Sequence, residues 1–78
     1  MERTKTGYPA LAAVLKRHRK EKDLSLRDLA RASGVDVSFI SRIELGHRSM
    51  GFATLNRLAA ILGEDFRQET LEVLRHVH

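Results

Sequence analysis

The 78-residue chain has no cysteine, which excludes disulfides and thiolate chemistry. It also lacks an apolar run of about eighteen residues and the hydrophobic core of a signal peptide, so we expect a cytoplasmic protein. No zinc-ligand spacing, phosphate-cradling glycine loop or Ser/His/Asp order is present. These absences predict a protein that is not an enzyme and that needs neither a metal nor a cofactor.

Positive charge is concentrated in the first part of the chain. Residues 1–48 carry 11 Lys or Arg and 6 Asp or Glu, a net charge of +5, whereas residues 49–78 carry 3 and 4, a net charge of −1. A polyanionic partner is therefore expected to meet the N-terminal part, and the C-terminal part is freer for protein contacts. A chain of this length forms one small domain, and pairing of two copies would add to its modest stability.

The most informative stretch lies between residues 24 and 46 and has the sequence LSLRDLARASGVDVSFISRIELG. Its pattern is typical of two short helices joined by a tight turn. Ser25 and Asp28 have the spacing of a capping box at the start of the first helix, and Gly34 suits a left-handed end. Asp36 can cap the second helix, and Gly46 can end it. Such a pair of helices can place the second one in the DNA major groove.

The second helix of this unit has two chemically different sides when it is drawn on a 100° wheel. One side holds Ile40, Ile43 and Glu44, and the opposite side holds Ser38, Ser41, Arg42 and Leu45. The isoleucines can anchor the helix to a core. Hydroxyls, a guanidinium and an apolar side chain are the groups that read base edges and thymine methyls.

The pattern LxxLAxxSGVxxxxISRIExG resembles the lambda-repressor-like (Cro/CI, XRE-type) helix-turn-helix family, over roughly residues 11–63. The resemblance implies an all-α, five-helix domain whose second motif helix lies in the major groove of DNA. It assigns base reading to Val37, Ser38, Ser41 and Arg42. The chain departs from the family at Leu26, where Gln is frequent and holds a phosphate, and at Met50, where Pro is frequent.

Several assignments leave alternatives open. Ser38 and Ser41 can donate to a phosphate instead of a base, and Val37 can pack at the helix start instead of touching a thymine methyl. Phe39 either packs on the preceding helix or the loop, or contacts the sugar-phosphate backbone. The predicted phosphate contacts are Arg27, Arg31, Phe39, His47 and Arg48.

An inward carboxylate without a partner would be costly, and Glu44 is predicted to point inward. Family members carry an Arg at the place of Arg19 that pairs with this Glu. The resemblance therefore implies a structural ion pair between Arg19 and Glu44 that locks the first helix of the domain to the groove helix.

The remaining helices are predicted from apolar spacing and capping residues. We expect helices over residues 9–22, 26–33, 37–45, 52–62 and 66–76, the last capped by Asp65. Residues 1–8 are predicted to be a flexible segment, with Arg3 and Lys5 able to lie near DNA, and residues 9–78 the helix-turn-helix domain. The expected core includes Leu11, Val14, Leu15, His18, Phe52, Leu55, Leu58, Ala59, Leu62, Phe66, Thr70, Val73 and Val77.

The apolar residues of the last helix span more than one narrow stripe. Leu71 and Leu74 are therefore expected at the interface of a twofold homodimer, unless the whole helix packs within one subunit. The combined prediction is a homodimeric transcription regulator, such as a repressor, that binds a (pseudo)palindromic operator in double-stranded DNA. The alternative is a protein-interaction adaptor or antitoxin module with the same fold and an unidentified protein partner.

Overall fold

A computed structural model describes residues 8–76 of the chain, and this part contains five α-helices and no strand. The predicted all-α class is therefore confirmed. The helices are α1 Pro9–Glu21, α2 Leu26–Ser33, α3 Val37–Glu44, α4 Phe52–Leu62 and α5 Glu64–Leu74.

The five helices enclose one hydrophobic core. α1 packs against α3 and α5, α2 packs against α3 and α4, and α4 packs against α5. Because α3 lies between α1 and α2, its inner side is covered on two flanks and its outer side stays free. The larger core side chains are Leu11, Leu15, Leu29, Ile40, Ile43, Leu55, Leu58 and Phe66.

The capping residues of the two motif helices act as the sequence predicts. The Ser25 hydroxyl accepts from the Asp28 amide at 2.9 Å, and the Asp28 carboxylate accepts from the Ser25 amide at 3.1 Å. Gly34 ends α2 with φ of 76°, a left-handed conformation that glycine adopts without strain. The turn between α2 and α3 is therefore defined by local chemistry.

His18 is buried on the inner stripe of α1, as predicted, and it joins α1 to α5. Its Nε2 lies 2.5 Å from Glu69 Oε1, and its ring meets that of Phe66 edge to face with centroids 5.6 Å apart. Arg17 donates to the other Glu69 oxygen at 2.5 Å. These donors hold the pKa of the Glu69 carboxyl below its ordinary value, the His18 hydrogen bond contributing most. The pairing of Arg17 depends on the position of α5.

The start of α5 differs from the prediction. The helix begins at Glu64, two residues early, and ends at Leu74 rather than at residue 76. Gly63 has φ of 105° and ψ of 177°, so the chain turns from α4 into α5 at this single residue. Asp65 consequently lies within the first turn of α5, and the prediction that it caps the helix was wrong.

Smaller differences affect the ends of two other helices. α1 ends at Glu21 and α3 at Glu44, each one residue before the predicted end. Asp23 has the left-handed backbone expected after α1, with φ of 56°.

Phe52 was predicted to be a core residue, but its side chain is 70% exposed. It is the first residue of α4, and helical side chains point towards the N-terminus of their helix. Its ring is therefore directed past the end of the core, while Met50 is buried just before the helix.

Tyr8 marks the beginning of the described chain. Its amide donates to the Gly46 carbonyl at 2.9 Å, and its side chain packs beside the core. Tyr8 is thus joined to the end of the motif. Arg3, Lys5 and Val77 lie outside the described residues, and Val73 of the same predicted stripe as Val77 is half-buried.

Candidate nucleic-acid interface

α3 separates buried anchors from accessible polar groups. Ile40 and Ile43 are completely buried, whereas Arg42 is exposed. Among the other predicted base readers, Ser38 is exposed, and Val37 and Ser41 are half-buried. The predicted readers therefore share the accessible part of the helix, and Arg42 is the exposed one whose guanidinium can donate two hydrogen bonds to one base.

Arg19 and Glu44 hold the inner side of α3 against α1. Arg19 Nε lies 2.6 Å from Glu44 Oε2 and Nη2 lies 2.9 Å from Oε1, while Nη1 donates to the Leu24 carbonyl at 2.7 Å. The two side chains are only 11% and 5% exposed. The hydrogen bonds with Glu44 raise the pKa of Arg19 above its already high ordinary value. This two-bond contact fixes both the position and the rotation of α3.

Asp36 organises the first turn of α3. Its carboxylate accepts from the Ser38 amide at 3.0 Å, from the Phe39 amide at 3.3 Å and from the Ser38 hydroxyl. These bonds lower the pKa of Asp36, the Ser38 hydroxyl contributing most. Ser38 thus uses its hydroxyl proton within the protein and offers its oxygen to an incoming donor.

A basic hollow of about 470 Å³ lies where α2 meets the start of α3. Arg27 and Arg31 of α2 line it together with Val37 of α3. Among residues 8–76, the one acidic side chain within 4 Å of Arg31 is Asp28, at 3.9 Å, and the Arg31 side chain is largely exposed. Surface pairs of this kind contribute little, so the guanidinium is available to another anion. The structure therefore brings two predicted phosphate contacts beside a predicted base contact.

Phe39 in the first turn of α3 and Arg48 in the loop after α3 approach each other. The Arg48 guanidinium carbon lies 5.0 Å from the centre of the Phe39 ring, within the range of a cation–π contact. Phe39 is half-buried against the core, and Arg48 and its neighbour His47 are exposed. The packing alternative for Phe39 is thus observed, and its ring also contacts a predicted phosphate-binding residue.

The proximity of Arg57 to Gly34 was not predicted from the sequence. Arg57 of α4 lies against the turn between α2 and α3, where a Cβ added to Gly34 would be 3.0 Å from Arg57 Nη1. The absence of a side chain at Gly34 accommodates this guanidinium as well as the left-handed backbone. No local pattern in the sequence could reveal the contact, because it joins segments more than twenty residues apart.

Neither a metal-ion cluster nor a helix that could cross a membrane is found among the described residues. Within residues 8–76, no group of three or more His, Asp or Glu side chains is arranged to hold a metal ion. No helix in the same range combines the length and apolar character needed to cross a membrane.

Residues 15–68 match the sequence profile of the HTH_3 family, described as Helix-turn-helix. The match covers more than half of the chain and includes both motif helices and α4. The chain therefore belongs to the HTH_3 helix-turn-helix family, as the resemblance noted from the sequence indicated. Comparison with curated protein sequences finds no significant match.

Solved structures with this fold include transcriptional regulators. The chain resembles an HTH_3 family transcriptional regulator from Vibrio cholerae, with 30% identity and a TM-score of 0.74. That alignment covers 83% of this chain but only 36% of the regulator, which is therefore much longer than the aligned part.

The restriction-modification controller protein C.Esp1396I is similar over nearly its full length. Its wild-type structure is 27% identical with a TM-score of 0.71, and the alignment covers 91% of this chain and 94% of the controller. A structure of the controller bound to a 25-base-pair operator site is 24% identical with a TM-score of 0.72, covering 92% and 99% of the two chains. At that identity the likeness concerns the fold.

Proposed function

We propose that this protein is a sequence-specific, double-stranded DNA-binding transcriptional regulator that inserts α3 into the major groove. The observation that carries the proposal is the division of α3 between a locked inner side and an accessible outer side. Glu44 and Arg19 hold the helix, and Arg42 is free to reach a partner. Membership of the HTH_3 family and the likeness to an operator-binding controller protein support the same function.

In this proposal Arg42 reads guanine, because its guanidinium can donate to both O6 and N7. Ser38 accepts from a base donor, because its hydroxyl proton is used by Asp36. Ser41 donates to a neighbouring base or phosphate, and Val37 contacts a thymine methyl. Each of these side chains is exposed or half-buried on α3. Sequence preference then arises mainly from Arg42, since the two hydroxyls discriminate less strongly.

Phosphate contacts flank the reading helix on both sides. Arg27 and Arg31 border the hollow beside the start of α3, and His47 and Arg48 follow its end. Cationic side chains in such positions release counterions from DNA, which makes the affinity strongly dependent on salt. These contacts set the register of α3 without reading sequence themselves.

We further propose that two copies act together, because one reading helix recognises only a few base pairs. A twofold dimer would place two copies of α3 on half-sites about 34 Å apart and would repress or assist transcription by occupying a promoter. Leu71 and Leu74 of α5 are the proposed interface residues. Both are half-buried, so each packs partly on its own core and leaves apolar surface for a partner.

Selection of bound duplexes from a random DNA pool tests the DNA-binding proposal. We expect enrichment of an inverted repeat with half-site centres about one helical turn apart. The Arg42→Ala variant, selected in parallel, should enrich a motif that has lost one preferred position in each half. If the wild-type protein enriches no motif above an unselected pool, the proposed function is wrong.

Sedimentation tests the interface. The wild-type protein should be dimeric at micromolar concentration, and Leu74→Glu should give a folded monomer with weaker binding to the inverted repeat. Leu71→Glu provides a second variant, and circular dichroism verifies that each remains helical. A wild-type protein that is monomeric at high micromolar concentration would contradict the interface.

A further inference from the structure

Phe39 and Arg48 form an unusual pair, because an aromatic ring from the first turn of α3 contacts a guanidinium beyond its last turn. The Arg48 guanidinium carbon is 5.0 Å from the ring centre. Arg48 is exposed, and no carboxylate among residues 8–76 lies within ion-pair distance of it. Within residues 8–76, Arg48 therefore makes its electrostatic contact with the ring of Phe39.

The ring of Phe39 has a defined position. Its backbone amide donates to the Asp36 cap at 3.3 Å, and its side chain packs beside the hydrophobic core. Because both the backbone and the side chain of Phe39 are already restrained, a cation on the ring face costs little further conformational entropy. It can serve as a fixed support for a mobile side chain.

The segment that carries Arg48 is also restrained where it leaves the helix. The His47 amide donates to the Arg42 carbonyl at 2.9 Å, and the Gly46 amide donates to the Ile43 carbonyl at 3.0 Å. The Gly46 carbonyl in turn accepts from the Tyr8 amide at 2.9 Å. The backbone before Arg48 is therefore tied to α3 and to the start of α1, and much of the remaining freedom lies in the arginine side chain.

We propose that Phe39 is a positioning residue that holds the Arg48 guanidinium in place for a DNA phosphate. This inference rests on the proposed function. A cation–π contact attracts the guanidinium without consuming an N–H donor, so all five donors of Arg48 remain available to phosphate oxygens. Ordering an arginine before DNA arrives removes part of the entropy that the contact would otherwise cost on binding.

A double-mutant cycle tests the proposal with the selected operator duplex as the probe. Phe39→Leu removes the aromatic face but keeps an apolar side chain, and it should weaken binding about two- to fivefold for each bound subunit. In an Arg48→Ala background the same change should have almost no effect. Phe39→Tyr keeps a ring and should retain wild-type affinity.

The salt dependence of binding provides a second readout. Arg48→Ala removes a charge and should lower the slope of log affinity against log salt by about 0.9 for each bound subunit. Phe39→Leu leaves the charge in place. It should lower the affinity at every salt concentration with little change in the slope of log affinity against log salt. A purely structural role for Phe39 would lower the melting temperature without producing coupling to Arg48.

The free protein offers a test that does not involve DNA. The Arg48 side-chain protons should show ring-current shifts in NMR spectra that disappear in Phe39→Leu and persist in Phe39→Tyr. Equal losses for Phe39→Leu with and without Arg48 would overturn the proposal. With an unchanged melting temperature, they would indicate that Phe39 touches DNA itself. If the wild-type protein binds no duplex, the proposed function fails, whereas binding without coupling refutes the role of Phe39 alone.

Discussion

The inner and outer sides of α3 are held by opposite kinds of contact. On the inner side, Ile40 and Ile43 are sealed in the core and Glu44 is joined to Arg19 by two short hydrogen bonds. On the outer side, Arg42 is exposed, and Leu45 just after the helix is 64% exposed. The inner contacts therefore set the position of α3, and the outer side chains remain accessible to a binding partner.

The largest effect is expected from breaking the inner side. Glu44→Ala strands the Arg19 charge in a nearly buried site, so we expect the free energy of unfolding to fall by about 3–5 kcal/mol. Urea unfolding measures the change, with Glu72→Ala on the exposed side of α5 as the control. A loss for Glu44→Ala no greater than for the control would show that the pair does not hold α3.

Changing the outer side should affect binding and leave stability intact. Arg42→Ala should cost about 1–3 kcal/mol of binding free energy on the selected operator, with relaxed preference at one base position. The unfolding free energy should change little, because Arg42 is exposed. Titration of labelled duplexes measures the effect, and Arg75→Ala, just after the end of α5, is the matched arginine control. Unchanged site preference in Arg42→Ala would remove Arg42 from the base-reading set.

Asp36 is the N-cap of α3. Two substitutions there distinguish the capping oxygen from the negative charge. Asp36→Ala should lower the melting temperature by a few degrees at most, because the Ser38 and Phe39 amides lose their acceptor. Asp36→Ser keeps a capping oxygen and should retain most of that stability. Thermal unfolding distinguishes the variants, and equal losses in both would contradict the capping role.

The smallest effect is expected at Glu69 of α5, which is more exposed than Glu44 and contacts His18 and Arg17 of α1. Exposed pairs contribute little because water and salt screen them, so the expected loss is far smaller than for the buried pair of Arg19 and Glu44. Glu69 has a pKa below its ordinary value of 4.5, so its contribution is complete above that pH and is lost as the pH falls through the lower value.

Glu69→Gln should therefore reduce stability slightly at pH 7 and make the stability curve flatter on the acid side. Chemical unfolding at a series of pH values from 7 down to 3 measures the difference between the two proteins. A difference that is constant across this range would show that the charge of Glu69 contributes nothing.

Local chemistry explains why the motif was predictable. Ser25, Asp28, Gly34 and Asp36 act on backbone groups within three or four residues of themselves, so their spacing carries the information needed to define α2, the turn and the start of α3. The alternation of buried and exposed residues along α3 likewise follows from helical geometry. The residues proposed to read bases all lie on that one helix, so their positions along α3 followed from the same helical geometry.

Features that depend on distant neighbours were predicted less well. Phe52 fits the apolar spacing of α4, but its place at the first turn leaves it beyond the core. The early start of α5 depends on the unusual backbone of Gly63, which spacing alone does not reveal.

The sequence by itself determined the helical class, the two motif helices and the side of α3 that is polar, since each follows from contacts within a few residues. Only the tertiary structure decided that Arg17 reaches Glu69, that Arg57 lies against the turn at Gly34 and that Arg48 contacts the ring of Phe39. The physical reason is that these contacts depend on the angles and distances between packed helices, or on the path of a loop. Those quantities are set by the shape of the whole core.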